Sequence, residues 1–549
     1  MKPKSNGLKL KHIKNHAAVL NRHYKLFEFH SRDLGLLPAP PSIAEKYKYS
    51  KRKVSLLMIF SMLSFIGINI SMLRFILHNP ILWVLFGILF LTIMYFTISL
   101  IVNSFTKDFD VVAHKKMVRR WKPTHYPSVD IFLPTAGEPI EVLENTWRGV
   151  RKLAETYKGK VSVYSLDDGA SDEVRRMAER FAFNYRVREN RGYFKKAGNL
   201  RHGYGISQSE FIAIFDADFV PREDFLDELL PYFDNSKIGI VQSPQYFDVK
   251  DSQNWLERGA GAVQELFYRF SQVSRQHHDA SICVGSNAIY RRTALNDTGG
   301  TALIEHSEDV HTGFNLRMHG WTIQYVPVIL AKGLCPSSMN AFFKQQYRWC
   351  MGSYSLMTSS KFWKTKLKLK TRLSYISGFL YYLHTGITVF YAPIIPLFIL
   401  FAMPEQVDIL NYILIFPAFI FTQIIYPIWH HSTYGIEAWS TRQIYGWAHA
   451  FALWDKITSN HMAWSPTGSV KKANKSDTRY KAFRTLQILL NFIPAIVWTG
   501  LGFYHMIYGS FVTYLPIFIS GAYFLFISSK VTFYFSRETA AVSKVFAKS

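Results

Sequence analysis

Cysteine is nearly missing from this chain, with only Cys283, Cys335 and Cys350 among 549 residues. Three residues so scattered build no disulfide framework, and none has metal-site spacing. A reducing cytosol suits the part of the chain that holds them. Acidic side chains are also short, with 39 Asp and Glu against 64 Lys and Arg and a net charge of +25. That surplus comes without any recognisable nucleic-acid-binding motif, so no nucleic-acid partner is expected. Residues 1–53 lack the charged start, short apolar core and small-residue cleavage site of a secretion signal, and read as a retained basic cytosolic tail. Residues 105–372 lack long apolar runs and are numerous enough to bury a core of their own.

The apolar residues, 49% of the chain, gather instead in 54–104 and 373–535. A bilayer core takes about 20 apolar residues in helix. Stretches 54–77 and 81–103 meet that length and are joined only by His78-Asn79-Pro80, and 375–402, 409–430, 482–507 and 510–535 form two further hairpins. Basic clusters flank these runs, at Lys51-Arg52-Lys53, 361–372 and 471–484, whereas the opposite turns carry almost none, apart from Arg74 near a helix end. This is the positive-inside pattern. It puts 105–372 and both termini in the cytosol and suits contact with membrane lipid headgroups. Pro393 and Pro396 predict a kink. Segment 440–460 mixes Trp447, Phe451 and Trp454 with Arg442, His449, Asp455 and Lys456, which predicts an interfacial amphipathic helix, with a seventh span as the alternative.

Within 105–372, runs 129–133, 161–166, 211–215 and 238–242 read as strands and 139–157 and 172–185 as helices. That alternation predicts a mostly parallel α/β sheet with ligands at the carboxyl ends of the strands. Asp167-Asp168-Gly169 and Asp216-Ala217-Asp218 fall at such ends. An isolated Asp-x-Asp turn is most often a solvated loop or cap; after a buried strand it suits a hard divalent cation that shares phosphate oxygens. Lys195-Lys196-Ala197-Gly198 opens a helix where a Lys meets a phosphate or an Asp. Glu308-Asp309 offers a carboxylate at a helix start, a sound position for a general base. Gln345 and Arg348, three apart, share a helix face, where Arg presents a fork to a pyrophosphate, and Trp349 adds a platform for a sugar ring.

With these motifs in place, the chain resembles the processive, membrane-embedded family 2 glycosyltransferases, most closely the cellulose synthase catalytic subunits, from about residue 50 to 535. The resemblance implies a multi-pass α-helical membrane protein with an inserted cytosolic α/β GT-A (Rossmann-like) glycosyltransferase domain, located in the plasma (inner) membrane. It divides the chain into a tail (1–53), a transmembrane hairpin (54–104), the GT-A domain (105–340), interfacial helices with the Gln/Arg/Trp motif (341–372), a hairpin (373–432), an interfacial helix and gating loop (433–481), a hairpin (482–535) and a tail (536–549). It implies Asp309 as catalytic base. The donor UDP falls to Thr135, Glu138, Asp167, Asp168, Lys196, Asp216, Gln345 and Arg348, and the acceptor to Gly285, Ser286, Glu308 and Trp349. Asp216 and Asp218 would hold Mg²⁺ or Mn²⁺. The implied reaction is inverting transfer of glucose from UDP-glucose to a growing β-1,4-glucan, which the spans conduct across the membrane to an export partner protein.

The chain departs from the family pattern in places. Ala136-Gly137 stands where relatives often have an aromatic residue and Asn. Val284-Gly285-Ser286 replaces Cys-Gly-Ser, with Cys283 displaced by one. The gating loop lacks Phe-x-Val-Thr-x-Lys, and Trp464, Thr467 and Lys471 stand in its place. About 14 residues follow residue 535, so the cyclic-di-GMP-binding barrel of bacterial relatives is not expected in this sequence, nor is control by that nucleotide. Ser307-Glu308-Asp309 followed by Val310-His311-Thr312 favours the glucan branch over hyaluronan or chitin synthesis. Mixed 1,3/1,4 or 1,3 linkage, a nonprocessive lipid glycosyltransferase and a silent transporter or scaffold are the alternatives.

Overall fold

Short apolar strands alternating with amphipathic helices build a seven-stranded sheet at the centre of the soluble region. The computed structural model describes residues 37–104, 106–247, 249–250, 253–431, 438–459 and 478–546. The strands are β1 (Val129–Thr135), β2 (Val161–Asp167), β3 (Asn184–Arg186), β4 (Phe211–Ile214), β5 (Val220–Pro221), β6 (Ile238–Gln242), β7 (Tyr246–Phe247), β8 (Ala288–Arg291), β9 (Thr322–Tyr325) and β10 (Ala331–Gly333). The large sheet runs β3-β2-β1-β4-β8-β6-β9, and β5-β10-β7 form a small second one. Strands β3, β2, β1 and β4 are parallel, but β8 runs antiparallel to both β4 and β6. The sheet is therefore mixed, where the sequence predicts a mostly parallel one. The in-register pair Thr135 and Asp167 ends β1 and β2 side by side, so the loops after these strands share one rim.

Helix Ile140–Thr156 buries Leu143, Trp147, Val150 and Leu153, one stripe at helical spacing, and Trp147 packs against Phe181 and Phe183. The helix expected over 172–185 stops at Phe181. Ala182 turns left-handed (φ 55°) and frees Asn184–Arg186 to join the sheet edge as β3.

Among the described residues six helices are long and apolar enough to cross a bilayer: Ser55–His78, Phe86–Asn103, Leu369–Ala402, Ile409–Trp429, Arg479–Tyr508 and Phe511–Tyr534. The third breaks where the prolines predict, Leu369–Tyr391 ending and Ile394–Ala402 resuming past Pro393. Helix Ala438–Thr458, expected to be interfacial, is not among the helices long and apolar enough to cross a bilayer; of its polar residues His449 and Asp455 are fully buried and Arg442 and Lys456 half-buried, and the helix packs among Trp255–Glu265, Met339–Met357, Leu369–Tyr391 and Phe511–Phe546.

The chain before the first span is tied to the soluble domain. Lys46 Nζ reaches Asp224 (2.6 Å) and Glu228 (2.5 Å), and Glu228 also accepts from His114 Nε2 (2.6 Å) on helix Val111–Arg120 beyond the first hairpin. Burial alone would raise the Glu228 carboxyl, but His114 and Lys46 hold it below its ordinary range. Asp224, opposed in the same way by burial, is lowered by Arg222 and Lys46. Lys46, despite burial, is raised by the two carboxylates.

Candidate active site

The rim formed by β1, β2 and β4 gathers most of the residues singled out from the sequence. Asp167, the last residue of β2, accepts from Thr135 Oγ1 (3.2 Å), Gly169 N (2.7 Å), Ser171 N (2.8 Å) and Tyr185 OH (2.9 Å). Four donors fill the lone pairs of one carboxylate, so Asp167 braces the loop instead of offering an oxygen to a ligand. Asp168 is gripped bidentately by Arg188, Nε and Nη2 each at 2.6 Å, with both side chains buried. Arg188 also donates to the carbonyls of Tyr193 and Lys195, which fixes the turn entering helix Lys195–Ile206.

Lys196, in the first turn of that helix, points back across the rim. Its Nζ donates to Asp216 Oδ1 (2.5 Å) and Gly285 O (3.0 Å) and lies 3.8 Å from Glu308. Asp216 follows β4, and its backbone N–H donates to the buried Ser286 Oγ (2.9 Å). Asp218 accepts from Leu334 N (3.2 Å); burial, then the Asp216 charge, pushes its carboxyl up to about 7. Glu138 accepts from Ala136 N (2.7 Å) and is raised chiefly by burial, with Asp216 and Asp167 adding to it. Among the described residues no group of three or more His, Cys, Asp or Glu is arranged as a complete metal cage. What is present is a surplus of negative charge on hard oxygen donors. It fits a divalent cation that takes two carboxylates from the protein and the rest of its shell from phosphate and water.

Opposite stands helix Glu308–Met318, entered through Ser307 in the left-handed region (φ 55°). Asp309 Oδ1 accepts from Val310 N (2.8 Å), whereas Oδ2 lies against Gly285 and takes no hydrogen bond from the described residues. Gly285 has φ +71°, and a Cβ there would sit 2.8–2.9 Å from Asp309 Cβ and Oδ2. Only glycine admits the carboxylate so close. Burial first, then Glu308, pushes Asp309 up to about 7, against the pull of Lys196. Glu308 is likewise raised by burial, with Lys196 opposing.

Gln345, Arg348 and Trp349 lie on helix Met339–Met357, half or more buried. Gln345 Oε1 is buried with no hydrogen-bond partner, an orphan of the kind a ligand satisfies. Burial lowers Arg348 to about 10, while Glu308 and Asp216 pull the other way. The two helices meet tightly: Ser307 Oγ donates to Arg348 O (3.3 Å), His311 Nε2 meets Ser355 Oγ (2.7 Å), and a Cβ on Gly352 would strike Ser307 Oγ at 2.0 Å. On its other side the helix is held by Tyr347 OH, which donates to Asp455 Oδ2 (2.8 Å), an oxygen also bonded by Arg479 Nε (3.2 Å).

Several supporting residues were given no role from the sequence, although Gln242 and Gln245 fall in the stretch 241–245 that also resembles the family. Gln242, Gln245 and Gln272 strap the irregular 282–284 backbone before Gly285 and Ser286, through Ile282 O (2.7 Å from both Gln242 and Gln272) and Val284 O (3.0 Å from Gln245). Arg188 stands twenty residues past Asp168, with no local spacing to betray it. Trp464, Thr467 and Lys471, expected in a gating loop, lie outside the described residues.

Residues 211–429, from β4 through the fourth apolar helix, match the family model described as glycosyl transferase family group 2. Over these residues the chain is similar to that family. It is 32% identical over 264 residues to the cellulose synthase catalytic subunit [UDP-forming] of Xanthomonas axonopodis pv. citri, covering 47% of this chain and 36% of that protein. It is 33% identical over 261 residues to cellulose synthase 1 catalytic subunit [UDP-forming] of Komagataeibacter xylinus, covering 47% and 35%. The alignment thus spans about a third of the length of these curated relatives. Among solved structures, a mannosyltransferase from Pyrobaculum calidifontis in complex with GDP-Man and Mn²⁺ aligns over 67% of this chain and 98% of its own, at 18% identity and a TM-score of 0.47.

Proposed function

We propose that this glycosyltransferase is processive and inverting, extends a β-glucan from UDP-glucose and passes it through the membrane. The observation that supports this most is Asp309, a buried carboxylate pushed up to about 7 whose Oδ2 takes no hydrogen bond from the described residues. A carboxylate so poised takes a proton from an acceptor hydroxyl as that oxygen attacks the anomeric carbon from the face opposite the leaving group. Arg348, together with Lys196 once it turns from Asp216, steadies the departing diphosphate, and the orphaned Gln345 Oε1 accepts a further ligand hydrogen. Thr135 and Glu138 line the nucleoside side on the loop that Asp167 braces. Trp349, Gly285 and Ser286 hold the acceptor end, with Glu308 beside the base. Asp216 and Asp218 would hold Mg²⁺ or Mn²⁺, which when bound neutralises charge on the leaving UDP.

A route into the membrane favours processive export over release. Tyr382, in the third apolar helix, lies within electrostatic reach of Asp309 and Cys350. His449 stands edge-on to Tyr382 at 4.8 Å, and Tyr381 continues to Tyr445 at 6.5 Å. Aromatic and hydroxyl groups of this kind suit sugar rings. In this reading 105–372 faces the cytosol of a cell whose inner membrane holds the spans, membrane lipid surrounds them and an export partner protein receives the chain.

The test is to give inverted membrane vesicles each labelled UDP-sugar with Mg²⁺, Mn²⁺ or chelator, and to digest products with linkage-specific hydrolases. High-molecular-weight glucan from UDP-glucose, lost on chelation, is expected. A product that is solely a chloroform-soluble glycolipid would sink the reading.

A further inference from the structure

We infer that the lysines from Lys361 to Lys370 dock anionic lipid headgroups, and that headgroups held there seat the helix that carries Asp309. The part played by Asp309 rests on the proposed function; the docking surface does not. Residues 310–404 contain no Asp or Glu. Within that stretch Lys361, Lys364, Lys366, Lys368 and Lys370 are all exposed, and none has an ion-pair partner among the described residues. Asp108 and Asp279, on neighbouring elements, are already taken by Arg52 (2.9 Å) and Arg317 (2.8 Å).

The segment lies at the level of the span ends. Leu369 opens the third apolar helix and is 71% exposed, and Trp363, 52% exposed, stands shortly before it. Thr371 Oγ1 donates to His278 O (2.7 Å), and His278 Nε2 meets Val102 O (2.8 Å) beside the end of Phe86–Asn103. The start of one span and the end of another therefore share one level, and the lysines adjoin it. Lysines beside a span end, with an exposed tryptophan among them, match the headgroup layer, where each nearby lysine adds to the attraction of an anionic surface.

Inward, the same segment grips the site. Phe362 is fully buried, its ring 5.8 Å from Phe314 and 5.4 Å from Phe379. Phe314 belongs to Glu308–Met318, just over one turn past Asp309. Trp363 Nε1 donates to the carbonyl of Met357 (2.7 Å), the last residue of the helix that carries Arg348. Exposed lysines on either side of one buried phenylalanine make a lever. Whatever holds Lys361 and Lys364 holds Phe362, and close packing passes that restraint to the base-bearing helix.

The test uses the full chain in nanodiscs of phosphatidylcholine, alone or mixed with phosphatidylglycerol, and native mass spectrometry to count the lipids the protein retains. Wild type is expected to enrich phosphatidylglycerol. Lys364→Gln/Lys366→Gln/Lys368→Gln should lower that enrichment at least about tenfold, and the matching Lys→Arg triple should keep it. Equal enrichment in wild type and the Gln triple overturns the docking surface. So does enrichment abolished by soluble polyglutamate at matched ionic strength, which would assign the lysines to an acidic protein. Hydrogen exchange of amides 308–318 reads the seating without turnover: phosphatidylglycerol should slow it several-fold in wild type but not in Phe362→Leu, which keeps the lipid enrichment. Identical exchange in both lipids, or a measurable rate of UDP release indifferent to phosphatidylglycerol, overturns the seating. No UDP release from any UDP-sugar, with the exchange effect present, removes the proposed function and leaves the lipid surface standing.

Discussion

Two acidic pairs sit at the ends of the two strands that flank β1 and are built for opposite purposes. Asp167 and Asp168 are saturated, the first by four donors from its own loop and the second by a bidentate arginine. Asp216 and Asp218, with Glu308 and Asp309 across the rim, crowd one another, and burial first, then that crowding, pushes Asp218 and Asp309 up to about 7. The same residue type therefore stiffens the scaffold in one place and stores unmet demand for protons and cations in the other. Saturation, more than position, separates a brace from a reactive group.

The largest effect separating them is expected at Asp309. Asp309→Asn should lower UDP release from UDP-sugar by about 10²–10⁴-fold, the range a positioned general base contributes, with the melting temperature unchanged. An intact rate would remove Asp309 from the reactive set. Asp168→Asn should do the reverse. It leaves the buried Arg188 short of its counter-charge, at a cost of about 3–5 kcal/mol, read as a large drop in apparent melting temperature. A fully stable variant with weakened UDP binding would show Asp168 to be a ligand after all.

Gly352→Ala should cost about 1–3 kcal/mol of overpacking and slow turnover, because the new methyl pushes Ser307 and the helix start that carries Asp309. The double variant with Ser307→Gly should recover much of both, since glycine accepts the left-handed conformation of residue 307. Failure of that rescue would uncouple the two helices.

The smallest effect lies outside the rim, in the clamp at Lys46. Glu228 and Asp224 have folded values below their unfolded ones, so their stabilisation is complete above about pH 5 and fades as pH falls below about 4. Lys46 is raised, so its share persists at all lower pH until the carboxylates protonate, and fades only at strongly alkaline pH. Hydrogen exchange of amides 43–49 should accelerate between pH 5 and 3 and less so in Glu228→Gln. Identical profiles would count against the clamp.

Strands β1, β2, β4 and β6 were readable because each is a buried run of branched or aromatic residues bounded by turns. Strand β8 was not: Ala288–Arg291 carries little apolar signal and becomes a strand through its neighbours β4 and β6. The membrane helices were readable from length and composition alone. The burial of Ala438–Thr458 was not, because His449 and Asp455 become interior residues only through Thr385, Tyr347 and Arg479, which lie on three other helices. The motif residues at the rim were visible one by one. Which of them are already spoken for depends on partners such as Tyr185, Arg188 and Gly285, and no spacing rule reports that.

The shared carboxylate of Asp455 carries a mechanical consequence. The chain leaves the Ala438–Thr458 helix just after this residue and re-enters the next helix at Arg479, which bonds the same oxygen as Tyr347. Tyr347 adjoins Arg348. Departure, return and the helix turn that carries Arg348 are thus moored to one post, so a pull on either end of the intervening stretch is felt at Arg348. In the function proposed above, this is a short rigging line between what happens after transfer and the grip on the next donor.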